Sequence, residues 1–95
     1  TSIIFNNVGD NYMENSAIVF FNMLKRNERV EIEIPLDITA NDLVIALNNA
    51  YNLGIDISNM KKCHLKTENP IALLRGNKLL SEYGLYNGTI INYTE

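Results

Sequence analysis

Ninety-five residues, 46% hydrophobic and 20% charged, make one globular domain with a single small core, neither disordered nor membrane-like. A net charge of −3, with acids spread singly, excludes the clustered basic footprint that nucleic acid requires. One cysteine excludes an internal disulfide and fits a reducing compartment, and the apolar runs Ala17–Phe21 and Leu43–Leu47 fall far short of a spanning helix.

Residues 1–15 are expected to be an N-terminal extension, mobile and either processed or foreign to the natural chain, ahead of a domain over 16–95. Ile3, Ile4 and Phe5 could start a strand, but Asn6, Asn7, Gly9, Asp10 and Asn11 are turn formers that break it. Met13 is expected to be the native start. No basic-then-apolar leader opens the chain, so a cytoplasmic location is expected.

Ala17–Leu24 is β-branched and aromatic and predicts a strand. Lys25–Arg29 reads as a polar turn centred on Asn27, its basic residues solvated, as are Lys61 and Lys62 further on. Val30-Glu31-Ile32-Glu33-Ile34 alternates strictly, so Val30, Ile32 and Ile34 point inward from a half-buried strand. The two strands form an antiparallel hairpin, stopped at Pro35, which has no N–H to give the ladder.

Thr39 as N-cap with Asp42 three residues on approximates a capping box, and Leu43, Ala46, Leu47, Ala50 and Tyr51 form one apolar helical stripe. Gly54 is the expected left-handed terminator. After a short turn at 56–62, Cys63-His64-Leu65-Lys66 predicts a third strand and Ile71–Leu74 a short fourth near an edge. The stretch from Leu79 to Ile91 combines an apolar anchor, a one-turn corner with Tyr83, the Asn87-Gly88 reversal and the start of a final strand, Thr89–Tyr93. It can hold its shape only if a sheet and helix receive Leu80, Leu85 and Ile91. One helix and about five strands pack most economically as a mixed sheet curled around the helix, an α+β β-grasp arrangement.

These residues resemble the ubiquitin fold, and more closely its bacterial YukD-like branch, over Ala17 to Tyr93. The resemblance rests on Val30–Ile34, the Thr39-capped helix with Leu43 and Leu47, and Leu80-Ser81-Glu82-Tyr83-Gly84-Leu85 followed by Asn87-Gly88. It implies that the Tyr83 hydroxyl bonds nearby backbone. YukD-like proteins are small cytosolic accessories of type VII secretion, and a similar domain is built into a membrane component of related systems. The resemblance therefore implies a non-enzymatic adaptor or regulator whose partners are proteins, membrane-embedded secretion components among them, without insertion into the membrane itself. The alternative is a covalent modifier or sulfur carrier. Such proteins end in a flexible Gly-Gly tail, whereas this sequence ends Ile91-Asn92-Tyr93-Thr94-Glu95, so that role requires a tail that is absent here.

No catalytic, cofactor or metal site is expected. Cys63 and His64 are neighbours on a strand and point to opposite faces, so they cannot form a nucleophile–base pair, and no second histidine exists. One cysteine, one histidine and scattered acids offer no ligand cluster. Gly84 and Gly88 precede no lysine-led helix and make no phosphate loop. Asn87-Gly88-Thr89 and Asn92-Tyr93-Thr94 match the glycosylation pattern by chance.

The first strand carries the sharper expectation. It is apolar on both faces except at Asn22, so Val19, Phe21 and Met23 facing the helix would turn Ile18, Phe20, Asn22 and Leu24 outward. Beside the last strand, and with the third one strand beyond, this gives a candidate protein-binding face of Phe20, Asn22, Leu24, His64, Lys66, Ile90 and Asn92. An edge strand could also pair across a two-fold axis, so a homodimer is open to the chain.

Overall fold

The computed structural model describes residues 2–3 and 15–94. In chain order its strands are β1 (Ser2–Ile3), β2 (Ser16–Met23), β3 (Glu28–Pro35), β4 (Leu65–Glu68), β5 (Ala72–Leu74) and β6 (Ile90–Tyr93), with one helix, α1 (Ala40–Tyr51), between β3 and β4. They form one mixed sheet in the order β1-β3-β2-β6-β4-β5. The five expected strands are present. A sixth strand, of the two residues Ser2 and Ile3, adds parallel to β3 at Ile32 and Glu33. The remainder of the anticipated N-terminal extension, residues 1 and 4–14, lies outside the described residues.

The β2–β3 hairpin pairs Val19 with Ile32 and Ala17 with Ile34, so both alternations bury the same face. Its turn is tighter than the expected polar loop. Leu24–Arg26 forms one 3₁₀ turn and Asn27 takes the left-handed conformation at φ 53°, which asparagine tolerates through its short polar side chain. Leu24 therefore leaves the strand and stands half exposed. The ladder stops at Pro35 as expected, the last residue of β3 and paired with Ser16, where a missing N–H costs least.

α1 begins as its residues dictate. The Thr39 hydroxyl accepts from Asp42 N–H at 3.1 Å and the Asp42 carboxylate from Thr39 N–H at 3.3 Å, closing the capping box. The buried stripe is Ala40, Leu43, Val44 and Leu47, and Ala50 is exposed. Asn52, at φ 53°, ends the helix two residues before Gly54. The Arg26 guanidinium then donates to the carbonyls of Tyr51 and Asn52, satisfying carbonyls that have no intrahelical partner.

The core lies between α1 and the inner sheet face. Val19 and Phe21 of β2, Ile32 and Ile34 of β3, Leu65 of β4, Leu74 of β5 and Ile91 of β6 meet Leu43 and Leu47. Phe21 tilts against Tyr51 with ring centroids 5.6 Å apart. Complete burial of a side chain such as Phe21 contributes about 1.5–3 kcal/mol.

The segment before β6 is held as its sequence requires. Leu80 and Leu85 are buried, Leu80 N–H donates to Ile38 O and Ser81 N–H to Leu36 O. The Tyr83 hydroxyl donates to Arg75 O at 2.9 Å and accepts from Arg75 N–H at 3.3 Å, as the resemblance implied. At the Asn87-Gly88 reversal, Asn87 Oδ1 accepts from Ile18 N–H and Gly88 N–H donates to Ile18 O. Gly88 sits at φ 98°, a region an L side chain rarely adopts. Side chain and backbone thus continue the β2–β6 pairing below the first residue of β6.

Candidate protein-binding face

Two sheet residues set the outer face. Phe20 of β2 pairs in register with Ile90 of β6, and both point away from the helix, partly buried. The same row runs from Glu31 of β3 through Phe20 and Ile90 to Glu68 of β4. Ile18, further down β2, is exposed beside Glu33. The centre of the face is therefore apolar and its sides are acidic.

The next row is polar. Asn22 faces Arg29 on one side and Asn92 on the other, and Asn92 faces Lys66. Asn22 Nδ2 donates to Asn92 Oδ1 at 2.9 Å, and Asn92 Nδ2 donates to Glu68 Oε2 at 2.8 Å. This relay fixes both amides and one carboxylate. The Arg29 guanidinium folds down over the Phe20 ring, 4.5 Å from its centroid, a cation–π distance.

Five of the seven expected face residues are thus brought together: Phe20, Asn22, Lys66, Ile90 and Asn92. Leu24 is displaced onto the 3₁₀ turn beyond β2. His64 precedes β4 and is exposed at a separate cleft. Ile18 is exposed on this face as its parity predicts, whereas Arg29 and Glu68 were missed. Extending the hairpin register from Ile32 and Val19 would have found Arg29 opposite Asn22, because the two strands lose no residue to a bulge before the turn.

That cleft, of about 450 Å³, is lined by Ile55, Asp56, Asn59, Cys63, His64 and Tyr93, together with Gly54 and Thr94. Cys63 is buried with its sulfur 3.6 Å from the carbonyl oxygens of Asp56 and Asn59, while His64 is exposed. The two do not pair. Asp56 accepts from both the hydroxyl and the N–H of Ser58, which hold its carboxyl below the usual range. Among the described residues no group of three His, Cys, Asp or Glu side chains could hold a metal ion, and no helix is long and apolar enough to cross a membrane.

One helix laid across a mixed sheet, with the tyrosine corner before the last strand, defines a ubiquitin-like β-grasp protein. Solved structures agree. The ubiquitin-like domain of Plasmodium falciparum Dsk2 is similar at a TM-score of 0.53 and 19% identity, covering 81% of this chain and 96% of that one. The C-terminal ubiquitin-like domain of mouse tubulin-specific chaperone e gives 0.62 at 11% identity, covering 92% and 95%. A structure concerned with molecular mimicry of SUMO in DNA repair gives 0.57 at 15%, covering 84% and 94%. At these identities the likeness is one of fold. No curated protein sequence matches significantly.

The family model described as "WXG100 protein secretion system (Wss), protein YukD" matches residues 19–92. The chain belongs to that family, which is associated with type VII secretion.

Proposed function

We infer that this protein is a non-enzymatic, cytoplasmic adaptor or regulator of a type VII secretion system, acting through its outer sheet face on a protein component of the apparatus. The observation that carries the inference is the in-register Phe20–Ile90 pair, an apolar centre on a solvent-facing sheet within a rim of charge. Protein interfaces have this construction, with an aromatic anchor inside a polar rim. Family membership supports the secretion setting. The fold alone specifies no activity.

Capture of the tagged protein from its own cells, with and without mild crosslinking, tests the reading. Recovery of a membrane component of the secretion system with crosslinker supports it. Heavier adducts that persist without crosslinker under denaturing and reducing conditions would instead establish a covalent modifier.

A further inference from the structure

Leu65 of β4 pairs with Leu74 of β5, so the chain enters β4 and leaves β5 at the same end of the sheet. The approach to β4 is the 3₁₀ segment Ile57–Lys62, and the exit from β5 is the turn Arg75-Gly76-Asn77. Between these and the first turn of α1 lies a cleft of about 400 Å³, lined by Asn41, Lys61, Arg75, Gly76 and Asn77. Small-molecule sites range over about 300–1,000 Å³. The exit turn is strapped to the helix. Asn41 N–H donates to Gly76 O at 3.0 Å and Ala40 N–H to Lys78 O at 3.0 Å, while Gly76 N–H donates to Asn41 Oδ1 at 3.1 Å. Asn41 Nδ2 donates to Asn77 Oδ1 at 3.3 Å.

These bonds decide what the wall can offer a ligand. Gly76 O, Asn41 Oδ1 and Asn77 Oδ1 each already accept a hydrogen bond from the wall itself. The N–H groups of Ala40 and Asn41 are likewise engaged, so the helix N-terminus is not the binding element. What remains is a set of donors: the Lys61 ammonium, the Arg75 guanidinium and Asn77 Nδ2. Among the described residues neither cation has a carboxylate partner, and no acid lines the cleft. Asp42, next to Asn41 in the chain, is held in the capping box by Thr39. In a chain of net charge −3 the cleft is a local reversal of sign.

We propose that this cleft binds a phosphoryl group, free or as a small phosphate ester, with Lys61 and Arg75 balancing its charge and Asn77 Nδ2 donating to one of its oxygens. This goes beyond the adaptor reading and does not rest on it. A carboxylate brings one charge and two oxygens, which would leave one cation uncompensated. A phosphate monoester carries close to two negative charges at neutral pH and three terminal acceptor oxygens. A guanidinium can fork to two of those oxygens, and an ammonium serves the third as a point charge. Both cations are exposed, so salt screens them and the affinity is modest, with a Kd on the order of 1 mM.

NMR titration of the full chain with inorganic phosphate, O-phosphoserine and acetate as separate probes, at constant ionic strength and about pH 7.5, tests this directly. Both phosphates are expected to give saturable shifts centred on the Gly76 and Asn77 backbone amides and the Asn41 and Asn77 side-chain amides. Acetate should bind on the order of tenfold more weakly. Tighter binding of O-phosphoserine than of phosphate assigns the site to esters, and the reverse order assigns it to the free anion. Arg75→Gln and Lys61→Gln should each weaken binding on the order of tenfold. Arg75 meets Tyr83 through its backbone alone, so both variants keep the fold, read from unchanged amide shifts away from the cleft. Lys25→Gln, the same change of charge on the β2–β3 turn, should alter binding by less than about twofold. Absence of saturable shifts with either phosphate, acetate binding as tightly as phosphate, or an equal loss in Lys25→Gln would overturn the proposal.

Discussion

The Arg29 guanidinium rests 4.5 Å from the centroid of the Phe20 ring, so the most apolar side chain of the outer face is covered on one side by a cation from the neighbouring strand. The stem of Arg29 can shield the ring while its charge stays in water. Exposed cation–π pairs contribute about 0.5–1 kcal/mol. Arg29→Ala should lower stability by about that much and enlarge the apolar surface at Phe20, read by chemical denaturation and by a rise in fluorescent-dye binding. Unchanged stability and dye binding would show that the pair has no energetic weight.

Arg26 donates to two carbonyls at the end of α1, at 2.7 Å to Tyr51 and 2.5 Å to Asn52. A cation at a helix C-terminus also meets the negative end of the dipole. Arg26→Ala is expected to cost about 1–2 kcal/mol and to speed amide exchange in the last turn of α1. Arg26→Lys should recover only part of this, since one ammonium cannot fork to two carbonyls as a guanidinium does. Full rescue by lysine would argue for charge alone.

Tyr83 closes its corner with two hydrogen bonds to Arg75, one given and one accepted. Tyr83→Phe keeps the ring and removes the hydroxyl. It should cost about 1 kcal/mol, visible as a lower midpoint in thermal unfolding with the fold retained. A silent substitution would mean that water replaces the hydroxyl without loss.

Asp56 is fully exposed, and the Ser58 hydroxyl, followed by the Ser58 N–H, depresses its carboxyl pKa below the ordinary 3.8. A depressed folded-state pKa contributes stability above the unfolded value and loses it as pH falls through the folded value. The Asp56 contribution therefore disappears below about pH 4. An NMR titration should place the Asp56 midpoint below 3.8, and Ser58→Ala should raise it. A midpoint at or above the ordinary value would refute the Ser58 contact.

Much of this structure was legible in the sequence because short-range rules and burial agreed. The alternation of Val30 to Ile34 fixed which face of β3 is inward, and Thr39 with Asp42 fixed the start of α1. The Leu80–Leu85 corner required a receiving core and found it. The departures occur where tertiary contacts outrank local propensity. Asn52 ends the helix before Gly54 because the left-handed position there already suits asparagine and Arg26 caps the freed carbonyls. Val44 is buried although it was left off the expected stripe, because the helix presents Ala40 and Val44 to the core as well as Leu43 and Leu47. Ile71 is 91% exposed ahead of β5; the pairing of Thr67 with Ala72 leaves it outside the ladder.

The outer face was legible in its β2 and β6 components and at Lys66 of β4. Phe20 and Ile90 follow from parity, but the Arg29 cover and the Asn22–Asn92–Glu68 relay depend on cross-strand register, which single-strand patterns do not contain. Leu24 was misplaced for a related reason. Its apolar side chain continues the strand pattern, yet the three-residue turn must begin there for Asn27 to take the left-handed position.

The central claim is that the Phe20–Ile90 face binds a protein of the secretion apparatus. The most direct measurement is crosslinked capture with the double variant Phe20→Ser, Ile90→Ser beside wild type, with thermal unfolding run on both. The variant is expected to unfold near the wild-type temperature and no longer to recover the secretion component. Undiminished capture by a folded variant would contradict it, and collapse of the fold would show that these side chains belong to the core instead.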